Sequence, residues 1–487
     1  MGRLHEFPVQ CKQTVQEPVQ AVARALRKAV DAKVGADAGF EAREVAALEL
    51  TDEATRLFLR DDLVAIADRH GEQIEVDGVI YQQHQPGTVT YFTLCGAVDI
   101  ERWTYREMGM RNGPTIVPLE LEAGLVEHGT PALGFRIALG YAKDHMRSCE
   151  EDMKADHRSP PSRSTLERMA KSIGTDARRV APRIEPRLRR AEAVPAGAVA
   201  VSVGLDRTSV PMEESLPPGE APATRRKKRH TPYARTPPDP VTVTYRMAYV
   251  GTVTFHDVHG DELGTRVYAA AAHESPQERV VSPLMADLRH ALTHAPELTV
   301  GVIQDGAPEL WTLLTTALSV EPLVTKYYTA IDRYHLNERL AEVLRSVEPD
   351  VTARGDRLSY WNERLDRDDD AIYRIRATVR DLHADALTRG DLILVKQLDP
   401  HLTYFENNGH LMRYARLRNV GLPVGSGVTE GACKSVIGMR TNGGGQRWRP
   451  EGLEAVLTLR ALHKSERLPR FWAHFAHGYR KEVTRCA

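Results

Sequence analysis

Between residues 199 and 331 the chain alternates short apolar runs with amphipathic stretches, and this alternation constrains the fold more than any other feature. The pattern predicts three strands, a helix, a strand, a helix, a strand and a helix. Such an order is typical of a mixed α/β layer architecture. The predicted strands span residues 199–205, 241–255, 265–271, 298–304 and 323–331.

Residues 1–180 are predicted to form a mainly helical N-terminal region with a small hairpin. A helix is expected after Thr51, an N-cap residue type, because leucine and isoleucine recur behind it at helical spacing. Residues 88–101 alternate around a Cys-Gly break, which predicts the hairpin. Helical sequence resumes near Leu133. Residues 162–174 form either the second helix of a helix-turn-helix or a helix that only packs.

A second domain is predicted to begin near residue 196, after a charged stretch with three prolines at residues 178–195. Residues 196–335 would form the first part of this domain. Residues 336–420 are helical and charged in pattern, so we expect an all-helical insertion there. Residues 421–487 would then complete the domain.

Two aspartates follow predicted strands of this domain. Asp206 and Asp305 each stand directly after an apolar run, where open α/β sheets place ligands. Magnesium prefers hard oxygen ligands and is usually held by one or two carboxylates together with substrate phosphates. A lone aspartate at a strand end is also a common turn former or helix cap, so this interpretation needs a third acid.

Glu430 is the candidate third acid. It follows a Gly-Ser-Gly turn at residues 425–427 that opens a predicted helix running toward Met439. On that helix Glu430, Cys433, Lys434 and Ile437 share one face. The alternative is a surface Glu-Lys pair at i, i+4 spacing, worth roughly 0.3 to 0.5 kcal/mol.

Glu430 is also the only acid between residues 411 and 450, a stretch with seven arginines and lysines. A single carboxylate in a basic field suits a site that phosphate must approach, although a solvated basic face is an equally good interpretation. A second basic cluster, residues 225–229, lies within proline-rich residues 211–240, a predicted mobile loop joining two strands. This cluster either touches DNA or forms a solvated tip.

Four motifs resemble bacterial insertion-sequence transposases of the ISKra type, relatives of the Mutator-like enzymes. They are VGLDRT around Asp206, VIQDGAPELW around Asp305, IDRYH with Asp332 and His335, and YFENN followed by GLPVGSGVTEGACKSVIGMRTNGGGQRWRP around Glu430. The resemblance covers about residues 199–462. Many relatives carry a cysteine pair where this chain has Glu107 and Met110, so no zinc is expected there.

The resemblance implies an RNase H-like catalytic domain with Asp206, Asp305 and Glu430 as the catalytic, metal-binding triad. It also implies two Mg²⁺ ions, for which Mn²⁺ could substitute, and double-stranded DNA as the substrate. Asp332 and His335 would be supporting residues, either positioning water or phosphate or forming a hydrogen bond at a helix start. The N-terminal region would bind the element ends, and synapsis of two ends implies at least a homodimer.

Five residues near the third acid are candidates for contacting DNA. Lys434, Arg440, Arg447 and Arg449 would contact phosphates or only decorate the helix end. Trp448 would stack on a displaced base or, as is more common near a helix start, pack into the protein.

The composition excludes some classes of protein and leaves others open. The five scattered cysteines favour neither a disulfide framework nor a CxxC zinc site, so free or buried thiols are expected. No apolar run is long enough for a membrane span, and we expect a cytoplasmic protein. Three alternatives to a transposase remain, namely a non-cutting DNA-binding derivative, an RNase H-like structure-specific nuclease and a glycosidase.

Overall fold

The structure is a computed structural model that describes residues 9–216 and 241–486. It divides into two compact units, one formed by the residues up to Ile173 together with those from Trp472 onward, and one formed by Gly174–Phe471. Helices make up 56% of the structure and each unit has its own sheet, so the chain has the mixed α/β character that its pattern predicts.

The helices and strands are numbered in chain order. The helices are α1 Val9–Val34, α2 Phe40–Asp68, α3 Pro118–Ala123, α4 Pro131–Lys143, α5 Met146–Ala155, α6 Arg163–Arg190, α7 Ser282–His294, α8 Pro308–Ser319, α9 Arg333–Val347, α10 Val351–Arg367, α11 Ala371–Thr388, α12 Leu392–Asn408, α13 Tyr414–Arg418, α14 Gly427–Ala432, α15 Met439–Thr441, α16 Pro450–Lys464 and α17 Leu468–His477. The strands are β1 Gln73–Val76, β2 Val79–Thr93, β3 Gly96–Glu107, β4 Thr115–Ile116, β5 Ala200–Ser215, β6 Val241–His256, β7 Glu262–Ala270, β8 Thr299–Gln304, β9 Tyr328–Ile331 and β10 Thr484–Arg485.

In the first unit the predicted hairpin is confirmed and is longer than expected. β2 and β3 pair from Tyr81–Glu107 to Thr93–Gly96 within a sheet of order β10-β1-β2-β3-β4. Gly96 closes the turn with a φ of 117°, a backbone conformation that favours glycine.

The prediction that Thr51 caps a helix is wrong. Thr51 lies inside α2, which begins eleven residues earlier at Phe40. Its Oγ1 donates hydrogen bonds to the carbonyl oxygens of Ala47 and Leu48, both at 2.9 Å. A threonine hydroxyl can bond back to the preceding turn in this way, so the residue type alone did not mark a helix start.

The second unit has the predicted order of elements, with a sheet of order β7-β6-β5-β8-β9. β5, β6 and β7 form an antiparallel meander, whereas β8 and β9 run parallel to β5. Buried side chains of the sheet pack on α7 and α8, for example Val203 on β5, Leu288 on α7 and Leu314 on α8. This core holds the strands whose ends carry the candidate acids.

Two predicted strand boundaries need correction. β9 begins at Tyr328, five residues later than predicted. β5 continues to Ser215, so residues 211–215, predicted to begin a mobile loop, are strand residues paired with β6. The rest of that loop, with the basic cluster 225–229, lies outside the described residues except for residue 216.

The remaining segments are mostly helical. Residues 178–190, part of the charged stretch at the predicted domain boundary, continue α6 although it contains Pro182 and Pro186. Five helices, α9 to α13, follow β9, in agreement with the helical pattern of residues 336–420. They form a core with one side of the sheet that includes Leu340, Ile375 and Phe405.

No helix in the described ranges is long and apolar enough to cross a membrane. Cys95, Cys149 and Cys433 are buried and Cys486 is partly exposed, and all four are free thiols, as predicted.

Candidate active site

The three acids predicted to hold metal line one cleft in the second unit. The cleft has a volume of about 390 Å³, and its lining includes Asp206, Asp305 and Glu430 together with His335 and Lys434. Residues far apart in the chain, from β5, the end of β8, α9 and α14, therefore come together at one site.

Asp206 lies inside β5, which corrects the prediction that it ends a strand. β5 pairs with β8 only from Ala200 to Val203, whereas its pairing with β6 continues to Ser215. Around Asp206 the strand therefore has a paired neighbour on one side only, until Met212, where Trp448 pairs with its other side. Asp206 lines the cleft in this half-paired part of the strand.

Asp305 is the first residue after β8, as predicted. Its Oδ1 accepts a hydrogen bond from the backbone N–H of Ala307 at 3.0 Å. Its carbonyl oxygen accepts another from Nε1 of Trp311 at 2.7 Å, which ties the turn to α8. Asp305 therefore forms a turn, the alternative for a lone aspartate, and also lines the cleft.

Glu430 lies in the first turn of α14, and the helical path continues through a π-helical turn at Cys433–Gly438 into α15. This confirms the predicted helix toward Met439. Ser426 donates from Oγ to Oε1 of Glu430 at 2.6 Å. Glu430, Cys433 and Lys434 all line the cleft. The ion-pair neighbour of Glu430 is His335, with 3.7 Å between Oε1 of Glu430 and Nδ1 of His335.

A close contact at Gly204 brings α14 against the strand that carries Asp206. A Cβ atom at Gly204 would lie 2.6 Å from Oγ1 of Thr429 and 2.8 Å from the carbonyl oxygen of Ile303. Thr429 also shares a hydrogen bond with Thr252 on β6, with 2.7 Å between the two Oγ1 atoms. Because Gly204 has no side chain, Thr429, the residue before Glu430, can reach the sheet.

The Gly204→Ala variant is expected to lower the free energy of unfolding by about 1 to 3 kcal/mol, because the added methyl group overpacks this contact. Urea unfolding monitored by circular dichroism would measure the change. Gly355→Ala is the matched control, since Gly355 lies in α10 with open space around it. This variant should have a free energy of unfolding about 0.5 to 1 kcal/mol higher, because alanine favours a helix more than glycine does. Unchanged stability of Gly204→Ala would contradict the contact between α14 and β5.

Asp332 and His335 brace the turn before Glu430. Asp332 caps α9, because its Oδ2 accepts from the backbone N–H of His335 at 3.0 Å and lies 3.1 Å from His335 Nδ1. Its Oδ1 accepts from the backbone N–H of Ser426 at 2.6 Å. Asp332 is only 2% exposed. Of the two supporting roles predicted for this pair, the hydrogen bond at the helix start is the one that the structure contains.

The carboxyl group of Asp206 sits in an unfavourable environment for its charge. Burial raises the pKa of Asp206, and the negative charges of Asp305 and Glu430 add to this effect. A hydrogen bond from the backbone N–H of Arg207 and one from the Cys433 thiol act in the opposite direction. Burial and the Asp206 charge raise the pKa of Cys433 in turn, so the thiol stays neutral.

The donor set fits a hard divalent cation. Asp206, Asp305 and Glu430 offer carboxylate oxygens around one cleft, and a cation would relieve their mutual repulsion. The group of ligand atoms that lie within 4.8 Å of one another among the described residues is a different one, formed by Asp332, His335 and Glu430. Both oxygens of Asp332 already accept hydrogen bonds, so it is better suited to positioning than to ligation.

The basic residues predicted to contact DNA differ in their surroundings. Lys434 and Arg447 are exposed and form no ion pair within the described part of the chain, and Lys434 lines the cleft. Arg449 is exposed but pairs with Glu213, with 3.2 Å between Nε and Oε2. The basic field around Glu430 is thus partly neutralised by acids from other segments.

Trp448 is packed against the protein, which is the alternative that its place near a helix start favoured over stacking on a DNA base. It is 9% exposed, and the guanidinium of Arg440 lies 5.1 Å from its ring centroid. Its backbone N–H donates to Pro211 at 2.9 Å and its carbonyl accepts from Glu213 at 2.7 Å. Trp448 therefore extends the pairing of β5, and its ring has little surface for a base.

Sequence reasoning did not single out several polar residues of the cleft, among them Ser426 and Arg207. Ser426 bonds to Glu430, and Arg207 lines the cleft while pairing with Glu309. The position of Ser426 four residues before Glu430 was a detectable signal, because residues at this spacing are neighbours on a helix. The sequence held no comparable signal for Arg207, because its partner Glu309 is distant in the chain.

Neither a scan against protein-family models nor a search of curated proteins found a match to this chain. Its function is therefore inferred from its residues and their geometry.

Proposed function

We propose that the protein is a transposase that cuts and joins double-stranded DNA with divalent metal ions bound by Asp206, Asp305 and Glu430. The observation that carries this proposal is the convergence of these three acids on one cleft from three separate elements. The resemblance of the surrounding motifs to ISKra-type transposases supports the same assignment residue by residue.

We also propose that the second unit is an RNase H-like catalytic domain. A three-stranded antiparallel meander, followed by two strands parallel to its first strand and joined through helices, supports this assignment. The five helices between β9 and α14 would be the all-helical insertion that such transposases carry between the second aspartate and the glutamate.

Each residue of the site has a distinct task in this proposal. Asp206 would hold both metal ions, and Asp305 and Glu430 would each hold one. Bound Mg²⁺ or Mn²⁺ would activate water and stabilise the attacking and leaving oxygens of an in-line displacement at phosphorus. Ser426 keeps Glu430 oriented by donating to its Oε1 at 2.6 Å. Lys434 is the candidate for contacting the DNA phosphate at the cleft.

The overall reaction would need no ATP, because one phosphodiester is exchanged for another. Water would cut at the element end, and the freed 3′-hydroxyl would then attack target DNA. Two DNA ends must be held together for this exchange, so we propose at least a homodimer that works on bacterial DNA in the cytoplasm.

The test is cleavage and strand transfer on labelled element-end DNA with Mg²⁺, with Mn²⁺ and with a chelator. A transposase should nick the end and join it to target DNA only when metal is present. Cutting without joining would favour an RNase H-like nuclease instead. DNA binding without cutting in either metal would favour a non-catalytic DNA-binding protein.

A further inference from the structure

An arginine and a tyrosine from the helices after β9 form a stacked pair beside the cleft. The guanidinium of Arg339 on α9 lies 3.9 Å from the ring centroid of Tyr404 on α12. At this distance the guanidinium covers the ring face, an arrangement that arginine favours because its planar group is weakly hydrated. Tyr404 therefore restricts the position of the arginine head group.

The pair lies next to the acids of the cleft. A Cβ atom built on Gly306, the residue after Asp305, would lie 3.4 Å from the Tyr404 hydroxyl oxygen. Arg339 also follows His335 by four residues on α9, so the two side chains are neighbours on one helix face. His335 itself lines the cleft. The stacked pair is not part of the cleft lining itself, but it lies next to Asp305 and His335, which are.

Arg339 has no carboxylate partner within the described ranges of the chain, although many arginines of this unit are paired. Arg333, for example, lies 3.7 Å from Asp366, and Arg413 lies 3.7 Å from Asp370. Arg339 is only partly exposed, so its position reduces hydration without supplying a counter-charge. The tyrosine occupies one face of the guanidinium, and its hydroxyl accepts a hydrogen bond from Arg339. A guanidinium has five N–H donors, so others remain available to an acceptor.

We propose that Arg339, positioned by Tyr404, binds a backbone phosphate of the DNA strand that enters the cleft. The planar donor fork of arginine matches two oxygens of a phosphodiester, and such charge-assisted pairs are strong. A base is a poorer candidate for this site, because the ring face is already covered by the guanidinium. The inference rests on the proposed action on DNA and adds a residue that holds the strand next to the site of cutting.

The experiment measures binding of a fluorescent DNA duplex by anisotropy over a range of salt concentrations, with Ca²⁺ replacing Mg²⁺. Arg339→Gln should weaken binding by about tenfold or more, and the slope of log K against log salt should fall in magnitude by about 0.9. Arg345→Gln is the matched control, because Arg345 is an exposed arginine of the same helix with its nearest carboxylate, Glu342, 3.9 Å away. This control should leave the affinity and the slope near their wild-type values.

Two further variants separate charge from geometry. Arg339→Lys keeps the charge, so it should restore the salt slope but only part of the affinity. Tyr404→Phe keeps the ring, so it should bind as the wild type does.

Equal effects of Arg339→Gln and Arg345→Gln would overturn the inference, because the effect would then be one of net charge alone. In that case the wild type would still bind and cut DNA, and the proposed function would stand. A wild type that fails to bind duplex DNA at all would overturn both.

Discussion

The Asp206→Asn variant is expected to lose metal-dependent DNA cleavage by at least about a thousandfold, because metal ions contribute several kcal/mol of transition-state stabilisation. The amide keeps the shape of the carboxyl group but cannot supply a negative charge to a cation. Asp305→Asn and Glu430→Gln should have comparable effects, since all three residues line the same cleft. DNA binding, measured separately by anisotropy, should persist in all three variants.

The same substitution should leave the protein at least as stable as the wild type at neutral pH. Burial and two neighbouring carboxylates raise the pKa of Asp206 in the folded state, so folding disfavours its ionised form. As the pH rises through the folded pKa of Asp206, ionisation of this group therefore destabilises the folded wild type. The neutral amide of Asp206→Asn does not ionise, so the variant avoids this destabilisation. Chemical denaturation at pH 7 would measure it. Lost activity together with undiminished stability is the signature of a residue selected for function.

Metal binding supplies a readout that is independent of catalysis. Mg²⁺ should raise the stability of the wild type by about 2.7 kcal/mol at about 100 times its dissociation constant, and it should raise that of Asp206→Asn much less. Glu338→Gln is a control, because Glu338 is an exposed acid of the same unit outside the cleft lining. A similar response to Mg²⁺ in wild type and Asp206→Asn would argue against Asp206 as a ligand.

The order of elements in the second unit was predictable because it depends on local patterns. Apolar alternation and helical spacing are properties of each segment, and they placed Asp305 correctly after β8. The position of Asp206 within its strand was not predictable in the same way. Whether a strand continues past a polar residue depends on its neighbour, and β6 continues to pair with β5 for nine residues beyond Asp206.

The packing of Trp448 was also not predictable from local patterns, because its partners are distant in the chain. Its backbone hydrogen bonds go to Pro211 and Glu213, which lie more than 230 residues earlier in the chain. Residues 211–215 carry two acids and a proline and were predicted to be a loop, so nothing local indicated a partner for Trp448. For Asp332 and His335, by contrast, the three-residue spacing of a helix cap is local, and one of their two predicted roles is present.

Arg467→Ala is expected to lower the free energy of unfolding by about 3 to 5 kcal/mol, the cost of removing one member of a buried ion pair. Arg467 is 2% exposed and lies between α16 and α17. Its guanidinium donates to Glu192 at 2.6 Å, to the Tyr268 hydroxyl oxygen at 2.6 Å and to Asp287 at 3.1 Å. One residue thus connects the segment after α6 with β7 and α7.

The loss would be large because the acids left behind remain buried. Burial acts to raise the pKa values of Asp287 and Glu192, but Arg467 and neighbouring arginines outweigh it and lower both. Arg470→Ala is the control, since Arg470 is 53% exposed and lies 3.9 Å from Glu192 at the edge of the same cluster. Because Arg470 itself is exposed and its contact with Glu192 is long, removing it should cost at most about 1 kcal/mol.

The pH dependence tests the mechanism of this destabilisation. Carboxyl groups with a lowered folded pKa stabilise the protein above their ordinary pKa, and this stability is lost as the pH falls through the lowered value. The difference in the free energy of unfolding between wild type and Arg467→Ala should therefore narrow as the pH falls. The narrowing should begin where the buried acids of the variant become protonated and should end below the lowered pKa values of the wild type. Urea unfolding of both proteins at a series of pH values would measure this difference in the free energy of unfolding. A difference that stays constant with pH would assign the loss to packing of the arginine side chain instead of to its charge.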